Sequence, residues 1–389
     1  MPIPIQNLII LGDSLSDIGI KREAPTGMFA RAIEAMRTND IGRYSDGRNW
    51  TDFLVEWTGA DSLLQDNVKT TYDATEPHRS LTRHSLLLRT DTTATTPLRY
   101  ANYAEGGAIA ASDWKPKAGA LGYLKTEVGK YIDARRALGD LYTGDTLHIV
   151  WIGLNDIVTA ERAEGTNMSG APGGVYEVHI SAKEKLQQKA GIDPDAGTGI
   201  TPIVAEIKEQ ADRIVNAFPN SRDHEHFLLI NLPSPTISVR FKDQIADGKR
   251  KLVDRFERNT LRFNEVLEFV TTHWPMTEHD LSLGPGAKPA NVGLVGMYEW
   301  MRYVADNATA FELTELAQLP GVPVLYRGET DTIRPAIRRC LTTSDLAHPT
   351  EAVYELIARK IADDLLAKYT LGHLNAQSWP TVKPYARVG

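Results

Sequence analysis

Ser14 is the residue whose position along the chain most suggests chemistry. It follows an apolar run in the segment NLIILGDSLSD, residues 7–17, which ends in a Gly-Asp-Ser turn. A short apolar run closed by glycine and small polar residues is typical of a buried strand followed by a turn. In open α/β sheets such a turn lies at the edge where ligands bind, so Ser14 is placed as a nucleophile would be. Gly-Asp-Ser is also an ordinary loop tripeptide, and the interpretation therefore depends on partners elsewhere in the chain.

Asp345 and His348 are candidates for those partners. They stand three residues apart in DLAHPT, just before a helical pattern that begins near Pro349. A serine hydroxyl is a weak nucleophile until a base takes its proton, and a carboxylate must fix the tautomer of that base and stabilise its charged form. A histidine at a helix N-terminus also feels the positive end of the helix dipole, which favours the neutral base. The pattern predicts a triad of Ser14, His348 and Asp345.

Acyl transfer also needs hydrogen-bond donors directed at the oxygen that becomes negatively charged. Suitable donors follow three predicted strands: the N–H of Ser14, the N–H of Gly106 or Gly107 in YAEGGA, and the side-chain amide of Asn155 in GLND. Glycine suits this role because it lets the main chain approach a substrate closely. We expect these groups, with either glycine, to form an oxyanion hole.

The segments around these residues alternate between strand and helix patterns. Beyond the first strand, apolar runs predict strands at 98–104, 146–152, 227–231 and 322–326. Helical spacing of apolar residues predicts helices at 26–37, 50–57, 123–138, 203–218, 249–272 and 349–367. Because parallel strands need long crossovers, this order predicts an α/β fold with a doubly wound parallel sheet flanked by helices. In such a sheet the carboxyl ends of the strands meet at one rim, which would bring Ser14, the glycines and Asn155 together.

The predicted domain organisation is a single domain over residues 1–370, followed by a C-terminal tail at 371–389. Insertions are expected near 61–97, 164–201 and 273–300, where periodicity is lost or glycine and proline interrupt the chain. The last of these contains exposed-looking apolar residues, which fit either a lipid-facing lid or a loop packed on the core.

Composition excludes several classes of function. The 389 residues carry a net charge of −7 with no basic stripe, which disfavours binding to nucleic acid. Cys340 is the single cysteine, no zinc-type spacing of Cys and His occurs, and no phosphate-binding glycine loop is present. We therefore expect no metal and no cofactor. The apolar run at 8–11 is too short for a signal-peptide core, and no run approaches the ~18 residues of a membrane span, so neither a Sec leader nor a transmembrane helix is expected.

Other residues that could bind ligands have simpler interpretations. His224 and His226 flank a charged loop, and solvation is favoured over metal binding. The tryptophans could stack on a sugar or touch lipid, but core packing is their commoner use. They are Trp50, Trp57, Trp274 and Trp300.

Four ordered blocks resemble the GDSL or SGNH hydrolase superfamily: GDSLSD, YAEGGA, GLND and DLAHPT. GRYSDGRNWTDFL is similar to another segment of that family, and the resemblance covers roughly residues 7–367. It implies a flavodoxin-like fold, with Ser14 as nucleophile, His348 as base and Asp345 as its orienter. The implied oxyanion hole consists of Ser14, Asn155 and a block glycine, with Gly107 preferred to Gly106. Asp13 and Asp17 are expected to be structural, holding the turn and capping the next helix. The absence of a G-x-S-x-G motif argues against an ordinary α/β-hydrolase elbow.

Within that superfamily the blocks are most similar to the bacterial phospholipase and glycerophospholipid:cholesterol acyltransferase branch. This implies an acyl-serine intermediate, a lipid or other ester substrate, peripheral membrane contact, and either a cytoplasmic location or leaderless export as an effector. A regulatory protein partner could dock on the insertions, though no residue identifies one. Two alternatives stay open: an esterase acting on acetylated carbohydrate, and a catalytically silent binding module.

Overall fold

The structure is a computed structural model. It describes residues 1–23, 38, 42–45, 47–59, 87–89, 98–110, 122–158, 200–238, 245–246, 248–274, 289–313 and 348–377. The helix predicted at 26–37, the strand predicted at 322–326 and nearly all of the insertion predicted at 164–201 lie outside these residues.

Seven strands and eight α-helices make up the described part. The strands are β1 (Ile3–Gly12), β2 (Leu87–Arg89), β3 (Leu98–Asn102), β4 (Asp145–Trp151), β5 (Glu225–Ile230), β6 (Asn291–Val295) and β7 (Tyr369–Thr370). The helices are α1 (Ile20–Glu23), α2 (Trp50–Trp57), α3 (Leu124–Leu138), α4 (Leu154–Val158), α5 (Ile200–Ala217), α6 (Arg250–His273), α7 (Met297–Asp306) and α8 (Glu351–Leu366).

The sheet is mostly parallel, with the order β2-β3-β1-β4-β5-β6. β1 pairs in parallel with β3 and β4, and β5 pairs in parallel with β4 and β6. Without the short strands β2 and β7, the five remaining strands follow the order 2-1-3-4-5, which is that of flavodoxin. The predicted α/β architecture of a mostly parallel sheet flanked by helices is therefore confirmed.

The central strands are buried on both faces. Every residue from position 7 to position 12 of β1 is buried, as are all six residues of β5. Successive side chains of a strand point to opposite faces, so both faces of the sheet are covered. Such strands are expected to be nearly continuous apolar runs, as residues 8–11 of β1 and 227–230 of β5 are here. The helices pack in two groups, with α5 against α3 and α6, and α8 against α2 and α7.

Two edge strands differ from the prediction. β2 lies inside the stretch predicted as an irregular insertion at 61–97, and it pairs antiparallel with β3. The residues at 90–97 that join β2 to β3 are too few for a parallel crossover, which explains the direction of β2. β6 and the start of α7 lie inside the insertion predicted at 273–300, so the lid interpretation is wrong for residues 291–300. Gly293 within β6 and the prolines before it concealed the strand pattern.

The tryptophans named in the sequence are mainly core residues, as predicted. Trp50 and Trp300 are 0% exposed and Trp274 is 2% exposed, while Trp57 is partly buried against the core. Trp274 Nε1 donates a 3.2 Å hydrogen bond to Asp212, so this residue does not face lipid.

A group of buried and partly buried polar side chains lies around the amino-terminal halves of β4 and β5. We call it the amino-end cluster, and its members are Arg135, Asp145, His148, Glu225 and His226. His226 is 1% exposed, and its Nε2 lies 2.9 Å from Asp145 Oδ1. The prediction that His226 is solvated is therefore wrong, because pairing of β4 with β5 brings Asp145 beside it. The neighbouring His224 side chain is 56% exposed, as predicted.

The C-terminal segment returns to the sheet. β7 pairs in parallel with the first residues of β1, and the Leu371 and Leu374 side chains after it are buried. No helix among the described residues is both long enough and apolar enough to cross a bilayer.

Candidate active site

Ser14 lies in a tight turn at the carboxyl end of β1. The Asp13 N–H donates to the Trp151 carbonyl at 3.3 Å, and Asp13 Oδ1 accepts the Leu15 N–H at 3.0 Å. A Cβ at Gly12 would overlap the Trp151 carbonyl oxygen, so β4 can approach this closely only because residue 12 is glycine. The turn presents Ser14 with 8% of its surface exposed.

His348 contacts Ser14 directly. His348 Nε2 and Ser14 Oγ are 2.7 Å apart, within the range expected between a nucleophile and its general base. The two residues are 334 positions apart in sequence, and the fold brings them to the same rim of the sheet. The half-buried imidazole packs beside the ring of Tyr44, with centroids 4.9 Å apart.

The start of α8 fixes His348 in the fold. Arg48 Nε donates to Glu351 Oε1 at 2.7 Å, which ties the first residue of α8 to the segment before α2. α8 begins at Glu351 with Thr350 as its N-cap, so His348 lies two residues before the cap. Because the dipole effect is confined to the first turn, it acts on His348 less than the sequence suggested.

Asp345, the predicted carboxylate partner of His348, lies outside the described residues. Its role stays a prediction.

Asn155 lies on the same rim, just past the end of β4. Its Nδ2 is 3.0 Å from the Ala108 carbonyl and 3.5 Å from Asp13 Oδ2. Gly153 makes the turn into α4 with φ +126°, and a Cβ there would press against the Phe263 ring. The amide of Asn155 is thus held between the Ser14 turn and the loop that follows β3.

Gly106 and Gly107 differ in what their N–H groups do. The Gly106 N–H donates to Asp17 Oδ2 at 2.7 Å. Gly107 has φ +79°, a conformation that favours glycine, and its N–H has no acceptor among the described residues. The Gly106 N–H is therefore engaged, whereas that of Gly107 can bind another group.

Asp17 links three parts of the rim. Besides the Gly106 N–H, its carboxylate accepts the N–H groups of Gly19, Ile20 and Lys21 at the start of α1, at 2.8, 2.6 and 3.1 Å. The predicted capping role is confirmed, and the contact with Gly106 is one that the sequence did not reveal. Only the fold reveals this contact, because 89 positions separate the two residues in sequence.

Buried carboxyl groups surround the Ser14 turn. Burial raises the pKa of Asp13 to about 7, although the hydrogen bond from the Leu15 N–H opposes this rise. Burial also raises the pKa of Asp17 to about 6, against four backbone hydrogen bonds. The pKa of Glu127 is raised well above its usual range, again by burial. Burial thus opposes negative charge on all three carboxyl groups.

Sequence reasoning missed two residues that touch the site. Tyr44 contacts His348. The segment that contains Tyr44, GRYSDGRNW, is marked in the sequence only by its likeness to a family block. Glu127 accepts the Gly12 N–H at 2.9 Å, and no motif marks it. In the described part of the chain, no cluster of three or more His, Cys, Asp or Glu side chains is arranged to hold a metal ion.

Comparisons with known proteins add little to this geometry. A scan of the sequence against models of protein families finds no match, and a search of curated proteins finds none. Among solved structures, the chain is similar to a protein of Parabacteroides merdae described as a candidate GDSL-like lipase. The identity is 13% and the TM-score 0.37, over 94% of this chain and 98% of that one. A TM-score this low carries no argument about function.

Proposed function

We propose that this protein is a serine esterase of the GDSL or SGNH type, acting on acyl esters through an acyl-serine intermediate. The observation that carries the proposal is the 2.7 Å contact between His348 Nε2 and Ser14 Oγ at the rim of a flavodoxin-like sheet. A nucleophile and base at this distance, beside unused main-chain donors, suit acyl transfer. The four ordered sequence blocks support the same assignment.

In the proposed reaction, Ser14 Oγ attacks the ester carbonyl while His348 takes its proton. His348 then returns the proton to the departing alcohol, leaving the acyl group on Ser14. Water or an acceptor hydroxyl attacks the acyl-serine in the second half, with His348 again acting as base. Asp345 is proposed to fix the tautomer of His348.

The proposed oxyanion hole consists of the N–H groups of Ser14 and Gly107 and the side-chain amide of Asn155, whose Nδ2 carries a second N–H besides the one that donates to the Ala108 carbonyl. Gly107 is chosen over Gly106 because the Gly106 N–H already donates to Asp17. Each donor of this kind lowers the barrier by about 3 kcal/mol.

The proposed substrates are lipid acyl esters, with activity of the phospholipase A or lysophospholipase type, and with acyl transfer to cholesterol or another alcohol as a second outcome. This part of the proposal depends on the sequence blocks, above all AEGGAIAAS. It does not depend on any residue assigned to substrate recognition. Peripheral contact with a membrane would follow from it.

The test is lipid analysis of vesicles containing phospholipid and cholesterol, after incubation with wild-type or S14A protein. Free fatty acid released only by the wild type would indicate a hydrolase, and cholesteryl ester an acyltransferase. An acetylated sugar serves as the comparison substrate. Faster deacetylation of that sugar would overturn the lipid assignment, and equal activity of S14A on every ester would overturn the esterase itself.

A further inference from the structure

Glu127 is a buried carboxyl group that the reaction does not use. It lies in the first turn of α3, is 1% exposed, and forms no ion pair with any described cation. Glutamate is almost never fully buried unless it is paired, so this position calls for an explanation. Its one hydrogen bond to the sheet is from the Gly12 N–H to Oε2, at 2.9 Å.

The Gly12 N–H donates to a side chain and not to the main chain of a neighbouring strand. The Gly12 carbonyl still accepts the Glu105 N–H at 3.1 Å, and the next N–H, of Asp13, donates to the Trp151 carbonyl. Between these two main-chain bonds, the Gly12 N–H has a side-chain acceptor instead. Removing that acceptor would leave a buried N–H without a partner two residues before Ser14.

The helix that carries Glu127 is fixed to the loop that carries Gly107. The Leu124 N–H donates to the Ile109 carbonyl at 3.0 Å, and the Ile109 N–H donates to the Gly122 carbonyl at 3.1 Å. Glu127 therefore joins the end of β1 to the same unit that holds the proposed oxyanion donor.

We infer that Glu127 is a positioning residue for Ser14, holding the end of β1 in register with the Gly107 loop by accepting the Gly12 N–H. The inference rests on the proposed function, since Ser14 must be the nucleophile for its position to matter. Glu127 itself is not expected to touch substrate or the reacting atoms.

This role does not require a charge on Glu127. Burial holds the pKa of Glu127 well above its usual range, and the nearby Glu105 and Asp13 carboxyls act in the same direction. A neutral acceptor is sufficient for one N–H, so glutamine should replace Glu127. Aspartate should not, because its shorter side chain cannot place an oxygen at the Gly12 N–H.

The chain offers a matched control at the end of β5. There the Leu232 N–H donates to Asn264 Oδ1 at 2.8 Å, so a buried side chain from a helix again holds the main chain just past a strand. Asn264 is 9% exposed, and β5 carries no proposed site residue. N264L and E127L each remove a buried side-chain contact at a strand end, one at the end of β1, which leads into the Ser14 turn, and one at the end of β5. Asn264 also donates to the Leu232 carbonyl at 2.9 Å, so N264L removes two hydrogen bonds.

The experiment measures kcat and KM on p-nitrophenyl butyrate, together with thermal unfolding, for wild type, S14A, E127Q, E127L, E127D and N264L. We expect E127L and N264L to unfold at lower temperature than wild type. E127L and E127D should lose about 10²-fold in kcat with KM little changed, as for a misplaced catalytic group, while E127Q and N264L keep wild-type kcat.

Three results would overturn the inference. The first is wild-type kcat in E127L, or in E127D if E127L does not fold. The second is a loss in E127Q equal to that in E127D, which would mean that the charge of Glu127 is used. The third is an equal loss of kcat in N264L, which would mean that general destabilisation causes the loss in E127L. A wild-type protein no more active than S14A overturns the proposed function as well, so the two failures are distinguishable.

Discussion

Two histidines of this fold have opposite surroundings, and their difference shows what makes a histidine a candidate base. His348 is half-buried at the carboxyl rim, where its Nε2 faces the hydroxyl of Ser14. His148 is 0% exposed within β4, and its Nε2 lies 2.8 Å from Glu225 Oε2. His148 is paired with an acid, and its described neighbours are the buried Glu225 and the rings of Tyr131 and Phe227. An acid and an imidazole form a structural pair unless a reactive group is also within reach.

The inner part of the amino-end cluster, around His148 and Glu225, is fully buried. Arg135 Nη1 lies 2.7 Å from Glu225 Oε1, and the ring of Phe227 stacks on His148 at 4.6 Å. Burial lowers the pKa of His148, although the bond to Glu225 opposes this. At the rim, by contrast, burial raises the pKa of Asp13. The two regions should therefore differ in what their substitution does to activity, to stability and to the response of stability to pH.

The largest expected effect is at the rim. S14A should lower kcat for ester hydrolysis about 10⁴- to 10⁶-fold, because the nucleophile is lost while binding remains. Its thermal midpoint should stay near that of the wild type, since the turn is held by main-chain bonds and by Asp13. Turnover and thermal unfolding measured on the same preparations check this, and a large loss of stability in S14A would contradict it.

Substitution in the amino-end cluster should lower stability and leave activity unchanged. E225Q leaves the Arg135 guanidinium buried without its counter-ion, and should lower the free energy of unfolding by about 3–5 kcal/mol. Activity per folded molecule should not change. Urea unfolding with parallel assays measures both. D254N is the control, because the exposed Asp254 lies 3.9 Å from Arg250 and its loss should cost under about 1 kcal/mol.

Asn155 tests the donors at the rim. N155A should lower kcat about 10²- to 10³-fold with KM little changed, because the amide acts on the transition state. Asn231 is the matched control, since its Oδ1 accepts the Tyr298 N–H at 2.8 Å just past β5. N231A should affect stability alone. An equal fall of kcat in the two variants would remove Asn155 from the proposed oxyanion hole.

The smallest expected effect concerns how stability changes with pH. Asp13 and His148 should contribute slopes of opposite sign to the free energy of unfolding. The folded pKa of Asp13, about 7, lies above its ordinary value of 3.8, so the folded state keeps this proton longer than the unfolded state does. The contribution of Asp13 to stability is therefore full below about pH 4 and is lost as pH rises towards 7. His148 has a folded pKa below 6.5, so its contribution rises as pH increases to that value.

Urea unfolding between pH 4 and pH 8 separates the two contributions. Relative to wild type, D13N should become more stable as pH rises, by at most about 1.4 kcal/mol per pH unit. H148Q should become less stable over the same rise. Parallel pH profiles for the two variants would contradict the opposite electrostatics of the two regions.

The central elements could be predicted because each has a residue pattern within its own stretch of sequence. Strands buried on both faces are nearly continuous apolar runs, as at 8–11 and 227–230, and α5 has a clear apolar stripe. β6 was missed because a glycine interrupts a short edge strand. Ser14, His348 and Asn155 were found by motif, and the structure brings them to one rim. Glu127 and the burial of His226 could not be found, because their partners are set by strand order and leave no mark in the local sequence.

The central claim is that Ser14 is the nucleophile activated by His348. Intact mass spectrometry after incubation with a fluorophosphonate probe, followed by peptide mapping, tests it without knowledge of the natural substrate. We predict one covalent adduct, located on Ser14, and much slower labelling of H348A. No adduct on folded wild-type protein, or an adduct on another residue with Ser14 unmodified, would contradict the account.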